Sequence, residues 1–185
     1  MNDIMFRNTV LAILKAQPGL GSVQLRKALI FTDATHHTLF GKSLTGVKYI
    51  KFPYGPVPDR NAFELLNRMY YEESLIDIFE EAEGSLTKNS YFATKDPDPG
   101  IFTEEEEKII RFSADVALKY SASKLTDMTH DEVYNNTPMR GEIPLDRVCT
   151  LTLTDRLDTP SFREEEKLEL IKVLNSDEVA QYTFV

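Results

Sequence analysis

Residues 29–58 constrain the fold of this chain more than any other stretch. They read LIFTDATHHTLFGKSLTGVKYIKFPYGPVP: an apolar helix end, an Asp, a Gly, a Thr-Gly, a β-prone run and a Tyr-Gly-Pro-Val-Pro turn. In one short span the chain must end a helix, enter a strand and reverse. No nucleophile, metal cluster or phosphate loop accompanies the span, so it reads as a rigid recognition scaffold rather than a catalyst.

Asp33 is the odd residue in this span. It follows the stripe position Thr32 on a helix otherwise rich in apolar groups. A carboxylate there needs donors. Backbone N–H groups, Thr45 or Tyr49 can supply them, and Asp33 would then pin the Gly41–Thr45 loop; direct contact with a partner is the alternative. Gly55 sits between Tyr54 and Pro56, where a special φ is expected. Tyr54, Gly55, Pro56 and Val57 would then form a ledge of low conformational entropy, suited to recognition.

The remaining pattern fits around this span. Phe6, Val10, Ile13 and Leu14 share a helical stripe that ends at Gln17-Pro18-Gly19. Ser22 is placed to cap a second helix, with Leu25, Ala28, Leu29 and Thr32 as its buried face towards His36. Val47 to Phe52 reads as a strand. A third helix begins near Asp59, with two apolar stripes (Ala62, Leu65, Met69 and Phe63, Leu66, Tyr70) that predict a central, two-sided position. Leu75–Phe79 and Ser90–Ala93, around Glu83-Gly84, predict an antiparallel hairpin. Asp96-Pro97-Asp98-Pro99-Gly100 is the clearest linker signal. Thr103 with Glu106 makes a capping box for a helix whose core stripe is Ile109, Phe112, Val116 and Tyr120. A short helix is expected near Ser123–Met128, and an extended piece at Ile143-Pro144-Leu145. Ser161 with Glu164 repeats the capping box before a last helix with Leu168, Ile171 and Leu174 as its stripe, and Tyr182, Phe184 and Val185 are free to dock on a neighbour.

The expected fold is therefore mainly α with a small antiparallel sheet or hairpin, an α+β class. A winged-helix-like half at 1–95 precedes a helical half at 101–145 and a C-terminal extension with a helix at 146–185. Together they form a single domain, 1–185.

Composition narrows the function. The hydrophobic fraction of 42% supports a core. No run of about 18 apolar residues predicts a membrane span. The N-terminus lacks a secretory pattern, and a lone Cys149 makes no internal disulfide, so the cytoplasm is the expected compartment. Net charge is −9, unevenly spread: residues 1–95 carry 11 Lys+Arg against 10 Asp+Glu, and residues 96–185 carry 10 against 20. The acidic half repels phosphate backbones and attracts basic partners.

Catalytic and metal chemistry find little support. His36 and His37 are adjacent, so on a helix they point about 100° apart and do not share a metal in the usual i, i+4 manner. There is no CxxC, and the neighbours of Cys149, Val148 and Thr150, suit a buried thiol. The acids at Glu72, Glu73 and Glu104–Glu107 read as solvated helix ends, the latter favoured by the macrodipole. No catalytic residue, metal ligand or cofactor site is assigned.

A second motif runs Leu125-Thr126-Asp127-Met128-Thr129-His130-Asp131-Glu132-Val133-Tyr134. Thr129 is placed to cap a helix whose first turn holds Asp131 and Glu132. His130 would tie that helix to the body of the fold, with a contact role as the alternative.

The two motifs together resemble the Panacea domain, the SocA-like antitoxin family of bacteria and phages, over roughly residues 6–145. The first carries Leu-Ile-Phe-Thr-Asp at 29–33, Gly41, Leu44-Thr45-Gly46, Tyr49 and Gly55-Pro56-Val57. The second carries Leu125, Thr129, His130 and Tyr134, where the family usually has Trp at the last place. The resemblance implies a non-enzymatic, phage-associated module that neutralises a cognate toxin protein by direct binding. Asp33, Thr45, Tyr49, Tyr54, Gly55, Pro56, Val57, Thr129, His130 and Tyr134 are its candidate binding or motif residues. The alternative is a winged-helix DNA-binding regulator using Lys42, Lys48, Lys51, Arg60 and Arg68, disfavoured by a pI near 4.9. No membrane partner is expected, and the oligomeric state is left open.

Overall fold

A computed structural model describes residues 1–83, 86–145, 168, 171, 172, 174 and 175. The expectations for Gly84, Cys149, the Ser161–Glu164 capping box and the final aromatic residues lie outside the described residues.

The chain opens with α1 (Asp3–Ala16), whose buried face is Phe6, Val10, Ile13 and Leu14. Gly19, at φ +82°, turns it into a two-residue strand, β1 (Leu20–Gly21). Next comes α2 (Ser22–Phe40). Its N-cap is Gly21 rather than the expected Ser22, which is already helical; Gln24 reaches back to accept the Gly21 N–H. Buried residues surround α2 on every side from Leu25 to Thr38, so α2 is the central helix. Gly41, in the left-handed region, ends it.

A hairpin follows, β2 (Tyr49–Phe52) and β3 (Gly55–Pro58), in antiparallel register from Tyr49 opposite Pro58 to Phe52 opposite Gly55. The reversal falls on Pro53-Tyr54. The Gly-Pro-Val-Pro segment, expected to be a turn, is a strand. It tolerates two prolines because it is the edge of its sheet, ordered β3-β2-β6, with β6 (Glu142–Ile143) on the other side of β2.

Then comes α3 (Arg60–Tyr71), capped by Asp59 accepting from the Ala62 N–H. Only Ala62, Leu65 and Met69 are buried, and Phe63 is 54% exposed. The second apolar stripe is therefore only partly covered, with Leu66 and Tyr70 half-buried against the core and Phe63 exposed, and α3 is not central as its pattern predicts. A long hairpin follows, β4 (Ile76–Glu83) and β5 (Leu86–Ala93); β5 also pairs with β1, giving the order β1-β5-β4. Helix α1, β1, α2, α3 and this hairpin follow the winged-helix order, interrupted by the β2–β3 insertion.

The proline-rich stretch does not separate two cores. Asn8 on α1 bonds the Asp98 backbone and carboxylate at 2.6 and 3.1 Å. It delivers α4 (Glu104–Lys119), with its Thr103–Glu106 capping box, against α1 and α2. Ile109, Ile110, Phe112, Ala114, Val116 and Ala117 enter the same cluster as Val10, Leu29 and Ile30. Two short helices close the described body: α5 (Ala122–Met128) and α6 (Glu132–Asn136). Leu168, Ile171 and Leu174 are helical; Leu174 joins the core, whereas Leu168 and Ile171 are exposed and do not extend the expected stripe. Among the described residues no helix is long and apolar enough to cross a membrane.

Candidate functional site

The two sequence motifs meet on the β2–β3 hairpin, which is braced at its base and behind its turn. The base brace is Asp33. Its carboxylate is fully buried and accepts from the Thr45 N–H at 2.8 Å, the Thr45 hydroxyl at 2.5 Å and the Tyr49 hydroxyl at 2.7 Å. Helix periodicity places Asp33 on the side of α2 that the 41–48 loop crosses, and the loop returns the donors needed. Burial pushes the Asp33 carboxyl up, against the downward pull of the Thr45 and Tyr49 bonds. Burial, then the Asp33 charge, holds the Tyr49 phenol well above its ordinary value. Asp33, Thr45 and Tyr49 have no surface to offer a partner.

The second brace sits behind the turn. The Tyr134 hydroxyl donates to the Phe52 carbonyl at 2.7 Å. Lys51 reaches the other way, donating to the carbonyls of Tyr134 at 2.7 Å and Thr137 at 2.8 Å, with its ammonium 4.4 Å from the Tyr134 ring centroid. That cation satisfies the orphan carbonyls at the end of α6. His130 stacks on Tyr134 at 4.1 Å with the rings nearly parallel. Burial, and then the Lys27 ammonium, keeps the His130 ring below the usual histidine range. Thr129 does not cap α6 as its spacing predicts. Asp131 does, accepting from the Tyr134 N–H at 2.8 Å. Thr129 closes α5 instead, and its buried hydroxyl accepts from Lys27 at 2.7 Å.

Lys27 is the residue that sequence reasoning missed. It is 2% exposed and also donates to the Tyr54 carbonyl at 3.3 Å. The signal was available: Lys27 interrupts the apolar series Val23, Ile30, Phe31 and Ala34. Gly55 is what lets the ammonium in. A Cβ built on Gly55 would stand 2.1 Å from Lys27 Nζ and 2.8 Å from Thr129 Oγ1, and the backbone there holds φ +98°.

Burial, and to a lesser degree Arg26, pushes the Lys27 ammonium down to about 7. The unfolded chain keeps that proton up to roughly 10.4. Between these values the unfolded state binds more protons, so stability should rise with pH. We expect a gain of up to about 2 kcal/mol between pH 7 and 8.5, read by urea denaturation. Lys27→Met should flatten the slope. The His130 window lies below about 6.5 and the Tyr49 window above about 10, so neither overlaps it. An unchanged slope in Lys27→Met would refute the assignment.

Held this way, the hairpin turns its other face to solvent. Tyr54 is 81% exposed and Phe52 is exposed, while Pro56 is buried and Val57 half-buried. Beside them runs a groove of about 980 Å³ between the start of α2, the hairpin, α3 and β5. Its walls are largely apolar, including Ile50, Val57, Phe63 and Leu66, and Arg26, Arg60 and Arg140 stand among its lining residues. Among the described residues no group of three or more His, Cys, Asp or Glu is placed to hold a metal ion. His36 lies apart from His130, buried at the end of α2 with ring nitrogens 2.6 Å from the Lys42 carbonyl and 3.3 Å from Glu106.

A family model described as antitoxin SocA-like, Panacea domain, matches residues 25–134, more than half of the chain. The matched span begins at Leu25 on α2 and ends at Tyr134, the residues that frame both braces. Nothing matches among curated proteins or among solved structures.

Proposed function

The chain belongs to the SocA-like antitoxin family, the Panacea domain, which ties it to a toxin–antitoxin role in general and to a toxin as partner, and from that premise we propose that it neutralises a cognate toxin by direct protein–protein binding, without covalent chemistry. The observation that carries this reading is the division of labour around the hairpin. Behind Phe52–Val57, the Lys27 ammonium donates to the Tyr54 carbonyl and the Tyr134 hydroxyl donates to the Phe52 carbonyl, so both groups are spent on holding that segment. The large side chains in front of it, Phe52 and Tyr54, are left exposed. A preformed aromatic ledge loses little entropy on binding, which favours a tight complex. The acidic surface, net −9, would speed encounter with a basic toxin.

A DNA-binding regulator is the second reading, favoured by the winged-helix order of elements. Its wing counts against it: Asp77, Glu80 and Glu81 are exposed on β4 and repel phosphate. Co-expression separates the two. The antitoxin reading expects the chain to restore growth to cells arrested by a neighbouring gene's product, and to co-elute with that product. Failure of both, with a salt-dependent shift of duplex DNA, would establish the second reading.

A further inference from the structure

Resting on the antitoxin reading, we propose that the groove beside the hairpin receives a segment of the toxin in which large apolar side chains are flanked by carboxylates. The floor asks for apolar side chains, being built from Ile50, Val57, Phe63 and Leu66. The charges ask for carboxylates. On a chain of net charge −9, the groove reverses sign locally, with Arg26, Arg60 and Arg140 in its lining against a single carboxylate, Asp59. Asp59 is committed, because its side chain caps α3 through the Ala62 N–H at 3.0 Å.

Two of the three arginines are not committed to anions. Among the described residues neither Arg26 nor Arg140 has a carboxylate within 4.0 Å. Arg26 is half-buried and spends its Nε on the Ser22 carbonyl at 3.0 Å. Arg60 pairs only with Glu64, one turn along α3, in a solvent-exposed contact that is easily exchanged. Covering the groove with a purely apolar or basic segment would desolvate these guanidinium groups without a partner, which is costly. A carboxylate matches the arginine fork and makes short, charge-assisted bonds. The groove thus selects both by shape and by charge sign, and it would reject segments that satisfy only the floor.

The test uses the full chain with the toxin, identified as the neighbouring gene whose expression alone arrests growth. A photo-crosslinking phenylalanine analogue at position 63 should capture a toxin peptide that has an Asp or Glu beside its apolar residues. Arg26→Gln with Arg140→Gln should weaken the complex about 10-fold or more at unchanged Tm, an effect that shrinks in high salt. Arg140→Gln alone, at an exposed residue, keeps the measurement readable if Arg26→Gln lowers the Tm. Lys124→Glu, exposed on α5 outside the groove, should leave affinity unchanged and so exclude a general charge effect. Crosslinks only to this chain's own residues, to a second copy, or to a toxin segment without carboxylates would overturn the proposal, as would full affinity in the arginine variants. A wild-type complex that gives no crosslink defeats this inference alone. Absence of any toxin complex defeats the antitoxin reading, and this inference with it.

Discussion

Asp33→Lys should unfold the base of the hairpin, lowering stability by more than about 4 kcal/mol, and Asp33→Asn should cost about 1–3 kcal/mol. The carboxylate takes three donated hydrogen bonds from Thr45 and Tyr49 in a site without solvent access. A lysine would set a cation against the Thr45 N–H and the Tyr49 O–H, leaving every group unpaired in low dielectric. Asparagine keeps the shape and one acceptor oxygen but turns an N–H₂ toward donors. Denaturant unfolding followed by far-UV circular dichroism measures both. If Asp33→Lys folded with near wild-type stability and lost only toxin binding, Asp33 would be a contact residue and the bracing argument would be wrong. The expected loss of neutralisation instead tracks the loss of folded protein and is partly restored by lowering the temperature.

The second large effect is at Gly55. Gly55→Ala should cost about 2–4 kcal/mol, from a positive-φ strain of about 1–2 kcal/mol plus displacement of Lys27. The ammonium is the flexible end of its side chain and can move, but it is buried, and moving breaks its bonds to Thr129 and to the Tyr54 carbonyl. The strain and the displacement can be separated. In a double-mutant cycle, Lys27→Ala removes the clash and leaves the backbone strain. The double variant should therefore be less destabilised than the sum of the singles, by about 1–2 kcal/mol. Strict additivity would mean that the alanine methyl never meets Lys27. Because Gly55 lies at the tip of the ledge, toxin affinity should fall even at temperatures where the variant remains folded.

Short-range chemistry made much of this legible in the sequence. The end of α1 at Gln17-Pro18-Gly19, the Thr103 capping box and the β4–β5 hairpin follow from residues within a few positions of each other. Asp33 is readable with its partners because a carboxylate in an apolar helix must find donors, and the loop and strand that follow the helix offer Thr45 and Tyr49. The failures share one cause, which is tertiary context. The stripe Phe63, Leu66 and Tyr70 on α3 reads as a second core face, but Phe63 and Leu66 wall a groove, and only Leu66 and Tyr70 are half-buried against the core. Gly-Pro-Val-Pro reads as a turn unless a free sheet edge is waiting for it. Thr129 looked like an N-cap because Asp131, two residues on, competes for the same role and wins. Lys27 and its acceptor are 102 positions apart, and no local pattern couples them. The groove's charge was hidden for the same reason, since Arg26 on α2, Arg60 on α3 and Arg140 in the turn before β6 lie far apart along the chain.

The distance along the chain between the hairpin and its rear support has a consequence for how the protein is made. Phe52–Val57 leaves the ribosome well before Thr129 and Tyr134, whose bonds to Lys27 and Phe52 complete the turn. A nascent chain can form its Asp33 clasp early, from contacts only 12 to 16 residues apart, but it waits for α5 and α6 to finish the ledge. Premature termination anywhere before Thr129 would therefore release a product that lacks a finished recognition surface. Competence arrives late in translation, as a single step, rather than growing with each element added.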